Sequence, residues 1–357
     1  MQSLINRPLT AAGIALVGVG LVTVTPVTAA ASAAAHLVDI QLTAEDITLD
    51  LVRHGQSTDD VNNILGTTPP GAHLSALGET QAADVAAAIQ KEFPDGIAGI
   101  YASELVRTQE TAAALAGLPG MPSVTVLPDL NEIPAGLVEG HPRDLFTEAS
   151  FFLPMASWIL GNVLVSEPGT SYNGVVFNDQ VNNAVDTIYN NTIAGNGPMT
   201  DVAYSSGGDI AIWTLMNVKN PDIWPIIQTV LANGGPPPNA GQAVLEGNPT
   251  DGWTMVSWDG IKVPATPDLF TGLFVDFRNV IVAPQIALWH IWEAIQGGDQ
   301  TDISNAIHTG FNQVVAALQQ FPQSVIDTIT QATADSTGGA GGAAAESLGD
   351  VIGSLPA

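Results

Sequence analysis

From residue 46 to 130 the apolar positions switch between two periods. DITLDLVRH (46–54) packs apolar residues at strand spacing and runs into a loop at Gly55. LSALGETQAADVAAAIQKEF (74–93) repeats at helical spacing, with Leu77, Ala82, Val85, Ala86 and Ile89 forming the predicted apolar face and Ser75 the predicted N-cap. GIAGIYAS (96–103) reads as a short buried strand. ELVRTQETAAALAG (104–117) reads as a second helix, capped by Ser103 and closed at Gly117. SVTVLPDL (123–130) supplies a third strand. A strand-helix-strand-helix-strand order at this spacing predicts an α/β domain with a parallel core sheet.

Beyond residue 141 the pattern loosens. SFFLPMASWILG (150–161) is apolar enough to pack over the sheet as a helical insertion, and NNAVDTIYNNTI (182–193) predicts a helix feeding the strand MTDVAYSS (199–206). GDIAIWTLMNV continues as a helix. QAVLEGN and GWTMVSWDG form a closing hairpin, preceded by GGPPPNAG (234–241) as a surface loop. From Pro264 the chain reads as two or three amphipathic helices, and TGGAGGAAAESLG (337–349) is low in complexity.

Charge narrows the function classes. The chain carries 8 Lys and Arg against 35 Asp and Glu, a formal net charge of -27. Such a field repels nucleic acid and anionic lipid surfaces, so neither is expected as a partner. No cysteine is present, which excludes disulfides, thiolate metal sites and thiol nucleophiles. The histidines, at positions 36, 54, 73, 141, 290 and 308, show no metal-binding spacing, so no metal or other cofactor is expected.

The N-terminus carries Arg7, then the apolar AAGIALVGVGLVTV (11–24), then Ala31-Ser32-Ala33 in small-x-small form. This predicts a signal peptide over 1–33 and a secreted or envelope-associated product, with a retained anchor as the alternative. The expected organisation is then a linker over 34–45, a domain over 46–263 with the insertion at 141–200, a helical extension over 264–336 and a tail over 337–357. No stretch after the leader reads as convincingly transmembrane.

Scarcity gives the five arginines weight: Arg7, Arg53, Arg107, Arg143 and Arg278. Arg53 and His54 end the first strand, and Arg107 lies one turn into the helix after Ser103. Ligands of α/β sheets gather at the carboxyl ends of strands, and a guanidinium fork suits phosphate. Each group alone reads equally well as a partner for a neighbouring acid; their placement in consecutive strand-loop units favours an anion site.

LVRHGQST (51–58), YASELVRTQETAAAL (101–115) and LNEIPAGLVEG (130–140), in that order, resemble three blocks of the histidine phosphatase superfamily. The likeness covers roughly 46–263. It implies a phosphoglycerate mutase-like, three-layer α/β sandwich with a mostly parallel central sheet, here followed by a C-terminal helical extension. It further implies that His54 carries a transferred phosphoryl group, that Arg53, Arg107 and Ser57 hold the phosphoryl oxygens, and that Glu132 is the general acid. Glu139 and Asp129 remain rivals to Glu132.

The sequence departs from the family at its fourth block, where Ser-His-Gly is the pattern. Here VAY is followed by Ser205, Ser206, Gly207 and Gly208, so Ser206 stands in the place of a histidine. Losing one charged donor to a transition state costs about 2.7–4 kcal/mol. Ser206 and the Gly207 region would then hold the phosphate more weakly, or His141 or His73 would fill the gap. Asp60 also stands about where relatives often carry asparagine, and would oppose phosphate if it faced the pocket. The expected function is a weakened phosphomonoester hydrolase acting on a phosphorylated small molecule. The alternative is a non-catalytic phospholigand-binding or protein-interaction module of the cell envelope, with the C-terminal helices contacting a protein or envelope partner.

Overall fold

The computed structural model describes residues 44–222, 226 and 237–337. The predicted leader, most of the linker and the low-complexity tail lie outside the described residues.

Seven strands form one sheet: β1 (Ile47–Arg53), β2 (Gly99–Ala102), β3 (Val124–Val126), β4 (Thr200–Ser205), β5 (Gln242–Asn248), β6 (Gly252–Trp258) and β7 (Ile261–Lys262), in the order β3-β2-β4-β1-β5-β6-β7. The pairs β3-β2, β2-β4 and β4-β1 are parallel. The predicted hairpin adds an antiparallel edge through β1-β5, β5-β6 and β6-β7. The fold is therefore α/β with a parallel core sheet, as the periodicity predicts.

Alternation along β1 sets the layers. Ile47, Leu49 and Leu51 enter a core with Tyr101, Phe151, Trp158, Phe177 and Trp213. Val52 faces the opposite way and packs with Val85, Ile89, Ile100 and Leu115. Helices α2 (Ala76–Glu92) and α3 (Val106–Ala116) cover that second face. The first is covered by α4 (Leu145–Ile159), α5 (Gly174–Ala194) and α6 (Gly207–Asn217). A short α1 (Thr58–Asn62) follows β1.

Local details differ from the sequence reading. Ser75 caps α2 through a hydrogen bond from Gly78 N, but Leu77 is 53% exposed and the buried face runs through Gly78, Ala82, Val85, Ala86 and Ile89. Ser103 does not cap α3. The helix starts two residues later with Leu105 at its N-cap, and the Ser103 hydroxyl instead accepts from Leu105 N and pairs with Thr108. The insertion holds two helices longer than predicted; Trp158 stacks on Phe177 with ring centroids 5.6 Å apart.

The C-terminal extension is two long helices, α7 (Leu269–Gly297) and α8 (Gln300–Thr337). They pack on each other through Phe277 and Phe321 and through Thr328, whose hydroxyl donates to Asp276. α7 docks on the domain: Val282, Ile286 and Trp289 touch the first core, Gln285 donates to Gly161 O at 2.6 Å, and His290 meets Asp179 at 2.8 Å. By length and composition alone α7 is long and apolar enough to cross a membrane.

Candidate active site

Parallel register builds the site. Arg53 pairs with Ser205 and Ala102 with Tyr204, so β1, β4 and β2 end side by side. The residues that follow, His54, Ser206 and Ser103, emerge at one sheet edge. His54 N donates to Ser205 O at 3.1 Å, which holds the first two loops together.

Helix α3 then ties the second block to the first. Its i, i+4 spacing puts Arg107 and Thr111 on one face. Thr111 Oγ1 accepts from Gly55 N at 3.0 Å, and Arg107 Nε donates to His54 Nε2 at 3.0 Å. The His54 Nδ1 contact to the Gly55 carbonyl, at 2.7 Å, requires a proton on Nδ1, because a carbonyl only accepts. The lone pair of His54 is therefore on Nε2, beside the guanidinium. Burial, with the charges of Arg107 and Arg53, holds the imidazole well below its usual pKa of 6.5, so the ring is neutral.

The acid loop completes the group. Arg107 Nη2 donates to Gly66 O at 3.0 Å and makes a short contact with Glu132 Oε2. Ser206 donates to the same Glu132 oxygen at 2.9 Å. Glu139 is engaged elsewhere, accepting from Thr67 N, Thr67 Oγ1 and Thr68 N. Asp129 sits in a single 3-10 turn and does not line the cleft. Of the three acids considered, only Glu132 reaches the cluster.

His54, Arg107 and Glu132 line a cleft of about 700 Å³ with Arg53, Ser57, Asp60, Arg143, Phe152 and Gly208 among its walls. Arg53, Arg107 and Arg143 thus converge there. Each is matched to a carboxylate: Arg53 with Asp60 at 3.7 Å, Arg107 with Glu132, and Arg143 with Glu148 at 3.1 Å. Ser57 lines the cleft, but its hydroxyl is committed to a capping box with Asp60 at the start of α1. Asp60 faces the cleft. Burial opposes its ionisation, but Arg53 and the Ser57 hydrogen bonds favour the charged form, and its pKa lies below the usual carboxylate range.

Ser206 turns toward Glu132 and makes no side-chain cap to α6, so Gly207 and Gly208 meet the cleft at the uncapped helix N-terminus. A Cβ on Gly208 would meet nothing within 4 Å. Neither alternative histidine fills the gap. His73 is exposed and paired with Glu110, and His141 is exposed. Among the described residues His54 is the one imidazole lining the cleft.

Sequence reasoning missed several members. Arg143 had only its scarcity as a signal. Asn239, whose side chain donates to His54 O at 3.3 Å, and buried Pro237, whose carbonyl accepts from Arg53 Nη1 at 2.9 Å, belong to the stretch read as a surface loop. The proline-rich turn returns to the sheet edge because Gly241 O accepts from Arg53 N. Asp209 resembles an ordinary first-turn helix acid, yet it is buried, accepts from Ile133 N at 3.1 Å and from Ser205 Oγ at 3.1 Å, and so braces the acid loop against α6. Burial and the nearby charge of Glu132 push its pKa well above the usual carboxylate range.

The family model of the histidine phosphatase superfamily (branch 1) matches residues 49–190. The chain is 44% identical over 298 residues to the PE-PGRS family protein PE_PGRS11 of Mycobacterium tuberculosis, covering 81% of this chain and 49% of that protein. It is 40% identical over 131 residues to an uncharacterized protein of the same organism, covering 36% of this chain and 60% of the relative. It spans about half the length of the curated relatives it matches. Among solved structures, Mycobacterial hydrolase 1 is similar at 22% identity and a TM-score of 0.45, over 61% of this chain and all (100%) of that one. A mycobacterial glucosyl-3-phosphoglycerate phosphatase complexed with VO3 is similar at 22% identity and a TM-score of 0.43, over 60% of this chain and 98% of that one.

Proposed function

Residues 49–190 belong to the histidine phosphatase superfamily, and from that premise we propose that the chain hydrolyses phosphomonoesters through a phosphohistidine at His54. One observation carries the reading. A neutral imidazole, its Nε2 lone pair accepting from Arg107 Nε at 3.0 Å, lines a cleft with three guanidinium groups, and a carboxyl group, Glu132, shares one of them.

In the proposed reaction Nε2 forms a bond to phosphorus as the ester P–O bond breaks. Glu132, protonated, gives its proton to the leaving alkoxide. Water then attacks phosphorus, Glu132 takes a proton from it, the P–N bond breaks and inorganic phosphate leaves. Arg53 and Arg107 stabilise the charge on the equatorial oxygens. Glu132 shares Arg107 with the cleft. An arriving phosphate takes over that guanidinium and releases Glu132 from it.

Ser206 stands where a charged ring would serve better, and its one hydroxyl proton goes to Glu132. The α6 N-terminus at Gly207 and Gly208 offers further amide donors to an anion. The proposal is therefore a slow phosphatase, acting on a small phosphorylated molecule. The N-terminal apolar segment supports export to the cell envelope. Ser206 also supports a second reading, in which phosphate is bound without turnover.

Hydrolysis of p-nitrophenyl phosphate separates the two. Wild-type protein is expected to turn over and to carry acid-labile phosphate on His54 after rapid quenching, and His54→Ala to do neither. Equal residual rates in both proteins, with no label on His54, would leave only the binding reading.

A further inference from the structure

A second cavity, of about 300 Å³, lies between α7 and the insertion helices, away from the arginine cleft. Trp158, Val163, Val282 and Ile286 give it apolar walls. Into this setting α7 delivers Arg278, only 5% exposed. Its Nη1 donates to the carbonyl of Leu215 near the end of α6, and its guanidinium carbon lies 5.8 Å from the Phe274 ring centroid. Among the described residues no carboxylate pairs with it, although the chain carries 35 acids. Burial alone lowers its pKa, to about 10, so it remains charged at neutral pH.

An unpaired buried charge is costly, and a single carbonyl satisfies one of the five guanidinium N–H groups. Capping the last turn of α6 would explain Nη1 and leave the rest of the fork unused. A second donor stands nearby: Asn217 donates to Asn178 Oδ1 at 2.8 Å, which leaves the Asn178 amide N–H free to face the same cavity. Charge and size define what fits. One guanidinium matches one negative charge, and a carboxylate can engage its fork through two oxygens. The volume corresponds to roughly ten waters at about 30 Å³ each. Apolar walls require an apolar body.

We propose that this cavity binds a small monocarboxylic acid with an apolar body, its carboxylate on Arg278 and its tail against Trp158, Val163 and Ile286. Helix α7 thereby becomes a ligand-dependent clamp between the helical extension and the domain.

Octanoate is the probe, with octanol as the uncharged analogue and inorganic phosphate as the control for the other site, each titrated calorimetrically into the full chain. Octanoate is expected to saturate one site and to bind at least about tenfold more tightly than octanol, the difference one charge-assisted contact makes. Arg278→Met is expected to weaken octanoate by about tenfold or more. Ala283→Phe keeps the arginine but fills the cavity, and is expected to abolish octanoate binding. Phosphate binding in both variants should match wild type. Should Arg278→Met fail to fold, Ala283→Phe decides alone. The proposal is overturned if octanoate does not saturate, binds no better than octanol, or is unaffected by a folded variant. It is independent of turnover at His54.

Discussion

At the scale of single residues, Glu132 has two masters. Arg107 and Ser206 both donate to the same one of its oxygens. If its task is to protonate a leaving alkoxide, the cost of losing it depends on the leaving group. Glu132→Gln keeps the shape and both contacts in altered polarity but cannot deliver a proton. The expected loss in kcat is about 100-fold or more for an alkyl phosphate, within the usual range for general acids. For p-nitrophenyl phosphate, whose phenolate departs without help, the loss should be much smaller. Steady-state rates on the two esters check this, and equal losses would remove Glu132 from the proton transfer.

At the scale of elements, the loop after β1 is held by close backbone contact rather than by side-chain bulk. A Cβ on Gly78 would lie 2.0 Å from Gln56 O, and one on Gly55 would lie 2.5 Å from Gly78 O. Helix α2 therefore touches the loop that carries His54 backbone to backbone. Gly78→Ala, in spite of its better helix propensity, is expected to destabilise by about 1–3 kcal/mol or more through overpacking. The displaced loop should also lower activity. Denaturant unfolding and the p-nitrophenyl phosphate assay read the two effects.

This element also marks what the sequence makes legible. Periodicity and caps gave β1, α2 and β4, and the ends of consecutive strand-loop units placed Arg53, His54 and Arg107 at one edge. What it could not give were contacts made by return. Asn239 and Pro237 reach His54 and Arg53 from 184 residues or more along the chain, through the antiparallel strand that follows them. Arg143 reaches the cleft because the acid loop doubles back onto Leu65, with no local pattern to announce it. Leu77 misled because one apolar residue in the first turn cannot show which side of a helix is covered.

At the scale of the whole molecule, buried acids set the pH dependence of stability. Burial raises Asp50 and Glu167 to about 8, from usual values of 3.8 and 4.5. Glu167 has no hydrogen-bond partner on either oxygen. Below those usual values folded and unfolded chains are both protonated and the contribution is whole. As pH rises toward about 8 the unfolded chain gives up protons that the folded chain keeps, and stability is lost. His54 runs the other way: below 6.5 the unfolded ring binds a proton that the buried ring refuses. Stability should therefore peak in mildly acid solution. Glu167→Gln is expected to raise Tm at about pH 8 by a few degrees and to flatten the decline from about pH 5. Melting curves across that range test it; an unchanged slope would assign the decline to other groups.

The pairing of every cleft arginine with a carboxylate has a consequence for selectivity. With its cations already answered by carboxylates, the cleft offers passing ions little field, so simple halides gain nothing by entering. On the proposed reading, a phosphate guest displaces resident oxygens and returns at least as many in a tetrahedral array. The acids that seem to spoil the pocket thus act as its threshold: they exclude what binds by charge alone and admit what binds by charge and shape together.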